Sequence, residues 1–349
     1  MHIEPHMSID ALADAVEVSG PAACVEPRIY GEVVDGGSIA SIAPDWKELA
    51  LRAAEPNPFQ EPIFVGAFCE HQSRNVRIVL AWRVVMGVAR LIGAVAFLLG
   101  RPRSRLPIAV LTSPVTAALA FLGTPLVDPE FISQALMAIL NAIAADPNLP
   151  KNIFLLDLSE GPVMSSLSSM LAARGTPPVV LERRQRAKLS SPLDGAAYFK
   201  QALSAGTRKK LRQHRRRLAA HGAVRHSTHS GVDDACMAFE RFLALEAEGW
   251  KGRHATAILS RDSDAAVART FFQGMAAEGL GWIEALHVGD RMVSAQVMLR
   301  SGRAAFTWKI AYDEAFAEYS PGILLIEDYS AKLLSDDSID FTDSCAYGE

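Results

Sequence analysis

Three strand patterns follow one another in the second half of the chain with no helix between them: Gly281–Val288, Arg291–Leu299 and Ala304–Ala311. Each is rich in Val, Ile, Leu, Ala or aromatic residues, and Gly289-Asp290 between the first two is a hairpin turn signal. Parallel neighbours need crossover connections. Strands in direct succession therefore disfavour a doubly wound parallel sheet and call for a mixed sheet built on an antiparallel hairpin. After the third strand an acidic stretch, Tyr312–Tyr319, leads to Ser320-Pro321-Gly322 and an apolar helical pattern to about Leu334. Ser before Pro is a helix-start signal, since the hydroxyl can cap and Pro fits the first helical position. A helix starting at the end of a sheet presents unpaired N–H groups, which suit a phosphate.

The first half shows the same order. Helical patterns run from Pro44-Asp45-Trp46 through Ala54 and from Asn57-Pro58 to about His71, followed by strands Val76–Arg83, Ala89–Leu99 and Leu106–Thr112. Asp128-Pro129 opens a helix to about Ala145; then come a strand at Ile153–Leu158, a helix at Gly161–Ala173, a strand at Pro178–Leu181 and a connector, Arg183–Pro192. The second half opens with helices at Ala196–Leu203, Thr207–His221, Val232–Gly249 and Ser263–Glu278, with a strand at Ala223–Ser227 between the second and third. It closes on a strand near Ile339–Phe341. The expected architecture is mixed α/β, with two similar units at 44–190 and 191–349 after a lead-in, 1–43, that carries a short strand at Ile29–Val34.

The 349 residues provide ample length for a core. A net charge of −4 argues against wholesale nucleic-acid binding, and no DNA partner is expected. The four cysteines stand far apart with no CxxC pair, which disfavours a disulfide framework and a thiolate zinc site. His226 and His229 lack a well-spaced third ligand, so no metal is expected. The first twenty residues are acidic without an apolar core, unlike a secretory signal. The membrane-like run, Val84–Gly100, is short and interrupted by Arg90, and two strands turning near Gly87 account for it better than an integral membrane segment. A cytoplasmic location follows as the expectation.

Lys309-Ile310-Ala311-Tyr312-Asp313, Phe316, Ser320-Pro321-Gly322 and Leu324-Leu325 together resemble a stretch of the CelD-like (cellulose biosynthesis type) acetyltransferases, relatives of the FemAB-type tandem-GNAT transferases. Thr207–Arg212, Leu218, Gly222, Phe242, Leu245-Glu246, Gly249–Gly252 and Asp343–Ala346 are similar to the same family. The resemblance spans about 45–346 and is strongest after 200. It implies two tandem GNAT-like (acyl-CoA N-acyltransferase) units and transfer of an acetyl or other acyl group from acetyl-CoA or another acyl-CoA to an amine on a small molecule or glycan precursor. It also implies a place in polysaccharide or cell-envelope biosynthesis. The usual GNAT Gly-rich phosphate loop is absent.

On this reading Ser320, Pro321 and Gly322 hold the pyrophosphate, with Arg208 and Lys209 as further cofactor contacts and Lys309 beside the pantetheine arm. Glu246 and Asp313 are the candidate bases for the acceptor amine, Asp343 a weaker third, and Tyr312 the candidate acid for the leaving thiolate. Asp128, at the corresponding junction of the first half, would repel a phosphate, which assigns the cofactor to the second unit. The alternatives are a FemAB-type transfer from aminoacyl-tRNA, with the basic helix 207–221 as tRNA contact, and a degenerate, non-catalytic binding module. Family members continue beyond the Asp343–Ala346 stretch; the shorter chain leaves an unpaired sheet edge and implies an inactive truncated form or pairing with a second copy.

Overall fold

Two mixed sheets, each grown on an antiparallel hairpin, organise the chain. The structure is a computed structural model that describes residues 26–72, 75–100, 109–113 and 119–347. In the first sheet the hairpin is β2 (Val76–Val85) and β3 (Val88–Gly100), turning at Met86-Gly87. β1 (Arg28–Asp35) lies antiparallel on β2, and β4 (Val110–Thr112) and β5 (Leu126–Val127) both lie antiparallel on β3. β6 (Ile153–Phe154) extends the sheet parallel to β4. Helices α1 (Ile39–Arg52) and α2 (Pro62–His71) precede the hairpin, while α3 (Ile132–Ala145) and α4 (Pro162–Ala173) follow it.

The second unit contributes β7 (Arg186–Leu189), α5 (Gly195–Ala202), α6 (Ala205–Leu218), β8 (Val224–His229), α7 (Val232–Glu248), α8 (Trp250–Arg253) and α9 (Asp262–Ala277). The three expected strands then appear as β9 (Gly281–Val288), β10 (Arg291–Ser301) and β11 (Ala304–Tyr312), followed by α10 (Pro321–Leu333) and β12 (Phe341–Tyr347). The strand order is β7-β12-β11-β10-β9-β8, with β11 and β12 parallel. α7 and α9 cover one face; α6 and α10 cover the other.

Several expectations shift. α1 starts at Ile39 and contains Pro44 rather than beginning there. α3 starts at Ile132 rather than at Asp128-Pro129, and the Asp128 carboxylate turns to two arginines. Its Oδ2 accepts hydrogen bonds from Arg52 (2.9 Å) and Arg90 (2.7 Å), so the anion expected to repel a phosphate is buried and neutralised. Pro178–Leu181 forms no strand, and of Leu106–Thr112 only Val110–Thr112 is assigned, residues 101–108 lying outside the described ones. The stretch read as a connector supplies β7, which pairs antiparallel with β12 and occupies the edge expected to be open.

The two units share one core. Trp46, Phe59, Phe64 and Phe68 from the first pack in a single cluster with Phe239, Phe242, Phe271 and Trp308 from the second. Phe64 and Phe271 meet edge to face at 5.1 Å between ring centroids. Burial of aromatics on this scale couples the units energetically.

Candidate active site

β11 and β12 pair only at their first residues, Ala304–Phe306 with Phe341–Asp343. One further link follows, Thr307 Oγ1 donating to the Ser344 carbonyl at 2.8 Å. Beyond it the strands part. Two local distortions make this fork. On β11, Lys309 pairs with Val297 and Thr307 with Met298, so Trp308 is an extra residue, a bulge. On β12, Cys345 adopts left-handed backbone geometry (φ 51°) inside a break in its pairing with β7.

The bulge re-aims the side chains after it. Trp308 and Lys309 both reach the face packed by α7 and the first unit, whereas Ile310 and Tyr312 turn to α10. Trp308 Nε1 donates to the Leu119 carbonyl at 2.7 Å. The Lys309 ammonium stands 5.1 Å from the Phe121 ring centroid. Arg186 on β7 fixes the Phe121 backbone by donating to its carbonyl at 3.1 Å, and also contacts Asp343 at 3.3 Å. Burial lowers the Lys309 pKa to about 8, against the pull of Glu246 in the opposite direction, with Lys251 adding to the drop.

Glu246, fully buried at the end of α7, is held at both oxygens. Oε1 accepts from Lys251 Nζ at 3.0 Å and Oε2 from the Ile258 N–H at 2.8 Å. Lys251 Nζ in turn donates to the Ile310 carbonyl at 3.0 Å, tying the 249–258 loop to β11 just past the bulge. Asp313 is similarly occupied: Oδ1 accepts from the Ala315 N–H at 3.0 Å and Oδ2 pairs with Arg291. Asp343 Oδ1 accepts from the Cys345 N–H at 2.8 Å.

On the opposite face lies the start of α10. Ser320 has left-handed geometry (φ 52°) and makes no side-chain cap, so the expected hydroxyl cap is replaced by a sharp backbone turn. Ile323 and Leu324 N–H donate to the Ser320 carbonyl at 3.0 and 3.1 Å. The Gly322 N–H is among the first-turn donors that a helix cannot satisfy internally. A Cβ at Gly322 would point at Ile310, Tyr312 and Ser294, with its nearest neighbour at 3.6 Å, so this glycine faces the sheet and an alanine would fit. Ile323 and Ile326 stand exposed on the first turns.

The structure thus brings Tyr312 to Ser320–Gly322 on one face and Lys309 to Glu246 on the other, with the fork between. It does not bring Arg208 and Lys209 to the same place. α6 runs antiparallel to α10: His221, just past its end, meets the Tyr319 hydroxyl at 3.0 Å, and Arg215 meets Asp328 at 2.7 Å. Arg208 lines a separate cleft of about 490 Å³ with Phe199, Lys200, Glu327, Asp328 and Ala331, beside the C-terminal half of α10. The six helical steps from Gly322 to Asp328 span about 9 Å. Near the start of α10 stand instead the His221 ring and the Arg291 guanidinium, the latter 5.3 Å over the Phe316 ring. The histidines read as weak ligands have other partners, His226 on Glu284 (2.7 Å) and His229 on Asp234 (3.0 Å). Among the described residues no group of three or more His, Cys, Asp or Glu is placed to hold a metal.

Residues 205–340 match the profile of the family described as acetyltransferase (GNAT) domain. No curated protein matches the chain. Among solved structures, FemX shares 10% identity and aligns over 88% of both chains with a TM-score of 0.59. A conserved protein of unknown function from Bacteroides thetaiotaomicron VPI-5482 shares 11% identity over 90% of both chains, with a TM-score of 0.49. The C-terminal domain of a putative lysylphosphatidylglycerol synthetase from Agrobacterium fabrum shares 12% identity over 88% of this chain and 78% of that one, with a TM-score of 0.47. Residues 205–340 thus resemble a GNAT acetyltransferase domain in sequence, and the whole chain shares its mixed α/β fold of two sheets with FemX.

Proposed function

We propose that the protein transfers an acyl group, acetyl in the first instance, from acyl-CoA to an amine acceptor, at the fork between β11 and β12. The observation that carries this reading is the fork itself: strands β11 and β12 stop pairing after Phe306 and Asp343, with a helix N-terminus on one face of β11 and a largely buried lysine on the other. The first-turn N–H groups of α10, with the positive end of its dipole, suit a pyrophosphate. Exposed Ile323 and Ile326 offer apolar contact for a pantetheine arm. Acyl-CoA supplies an activated carbonyl; the chain's own residues must handle the proton.

Glu246 and Asp313 are held at both oxygens by structural partners, which favours Lys309 as the proton acceptor. With a pKa of about 8 it is free base in useful measure near neutral pH, and it can relieve an attacking ammonium of its proton. Glu246 then acts by holding Lys251 and the 249–258 loop against β11. Tyr312, on the α10 face, is the donor to the departing thiolate. The residue similarities to CelD-like acetyltransferases support a glycan-precursor or other small-molecule amine as acceptor.

One observation favours a second reading. Lys209, Lys210, Arg212, Arg216 and Arg217 leave a basic, exposed face on α6, fit for an RNA backbone and hence for aminoacyl transfer from tRNA. Acetyl-CoA titration followed by melting temperature decides between them. A stabilising shift that Gly322→Asp abolishes and Gly322→Ala retains supports the acyl-CoA site. No shift at millimolar ligand refutes it, and tRNA binding with a steep salt dependence would establish the second reading instead.

A further inference from the structure

The β2–β3 hairpin carries an apolar tip that the fold does not need. Val85 pairs with Val88 across a two-residue turn, Met86-Gly87, and Val84 with Ala89 behind them. Met86 and Val88 are 75% and 71% exposed and belong to none of the apolar clusters. Met86 also has left-handed backbone geometry (φ 49°), followed by Gly87 (φ 79°). Two-residue hairpin turns of this kind favour Asn or Asp at the first position, because a short polar side chain tolerates positive φ better than a long one. Methionine here costs conformational energy, and it belongs to no apolar cluster of the described residues.

Directly behind the tip Arg83 and Arg90 face each other across the strands, and Arg28 on β1 sits opposite Val84. Like charges opposite one another on a sheet repel. Arg90 is answered by Asp128 at 2.7 Å and Glu130 at 3.9 Å, but Arg83 and Arg28 contact aromatic faces, Phe131 at 4.9 Å and Tyr30 at 5.3 Å. No helix of the described residues is long and apolar enough to cross a membrane. An apolar tip backed by arginines whose charge is uncompensated is complementary to a bilayer surface with anionic headgroups.

We propose that this hairpin seats the protein on an anionic lipid surface, Val85, Met86 and Val88 entering the headgroup–acyl boundary and Arg28 and Arg83 meeting lipid phosphates. The inference stands independently of the acyl-transfer reading. It is tested on the full chain by vesicle flotation, with phosphatidylcholine alone and with added phosphatidylglycerol, at low and high salt. The chain should float with the anionic vesicles only, and high salt should weaken this. Met86→Asn with Val88→Thr should reduce the bound fraction about tenfold or more, and Arg28→Gln about fivefold. Asn suits the left-handed position, so Met86→Asn should leave the melting temperature unchanged or raised. The proposal is overturned by equal binding to both vesicle types, by binding that the double variant keeps, or by a fall in melting temperature, which would make Met86 structural. It is also overturned if the unmodified chain dimerises in solution and the double variant does not, since the occupant would then be a second copy.

Discussion

Replacing Lys309 by Met should abolish acyl transfer and at the same time stabilise the fold. The lysine lies largely buried against Phe121, with Lys251 as a like-charged neighbour and its pKa lowered from 10.5 to about 8. The unfolded chain keeps this proton up to 10.5, the folded chain only to about 8. Between those values the unfolded state binds more protons, so stability rises with pH through the window, and below it the full cost of the buried charge is present. That cost is about 3 kcal/mol at pH 7 and about 2 kcal/mol at pH 9, at 1.36 kcal/mol for each pH unit of difference. The methionine side chain introduced by Lys309→Met would fill nearly the same volume with no charge and a favourable sulfur–aromatic contact. Urea denaturation at pH 7 and pH 9 should therefore show a gain for the variant that shrinks as pH rises, with an unchanged m-value. A destabilised variant, or a gain independent of pH, would refute the account of Lys309 as a lysine held at energetic cost. Lys309→Arg separates the charge from the chemistry: its guanidinium stays protonated, so it should be both inactive and less stable than the parent.

Glu246→Ala should cost about 3–5 kcal/mol in the same denaturation assay, because it strands the Lys251 ammonium and the Ile258 N–H inside the protein. Its catalytic loss should track loosening of the 249–258 loop, visible as faster amide exchange there, and the residual activity should level off at a lower pH, because the Glu246 charge that raises the Lys309 pKa is gone. For the unmodified protein, log(kcat/KM) should climb with pH at unit slope and level off at about 8, where Lys309 becomes free base. A rate that falls through that pH would instead require a protonated Lys309 as an electrostatic group.

The second unit was legible in the sequence almost element by element, because β9, β10 and β11 have strong local signals: a two-residue turn, β-branched and aromatic runs, and a Pro-led helix after them. Lys309 and Tyr312 were recognisable from a family resemblance, and residues three apart on a strand fall on opposite faces, but which face each one takes was not legible. Strict alternation over Thr307–Tyr312 puts Lys309 on the α10 face; the bulge at Trp308 reverses this, and it is set by pairing with β10, not by local residues. Arg208 and Lys209 stand near in sequence to a plausible phosphate clamp, yet the antiparallel seating of α6 on α10 carries them to the wrong end. Phe121 carries no signal at all. It is an ordinary apolar residue whose importance comes from the other unit.

That dependence is the main consequence of the tandem arrangement. The strand that closes the second sheet, β7, comes from the connector leaving the first unit, and its Arg186 holds both Phe121 and Asp343. Trp308, the bulge residue before Lys309, is anchored on the Leu119 carbonyl of the first unit, stacked on Phe239 and edge to face with Phe271 of the second. Lys309, whose pKa burial lowers to about 8, thus lies against Phe121 of the first unit as well as the residues of its own. A second unit cut away from the first would expose Lys309 to water, restore an ordinary lysine pKa and lose the base while keeping the fork. On the proposed mechanism the first unit acts through the dielectric environment it helps impose on a single amine.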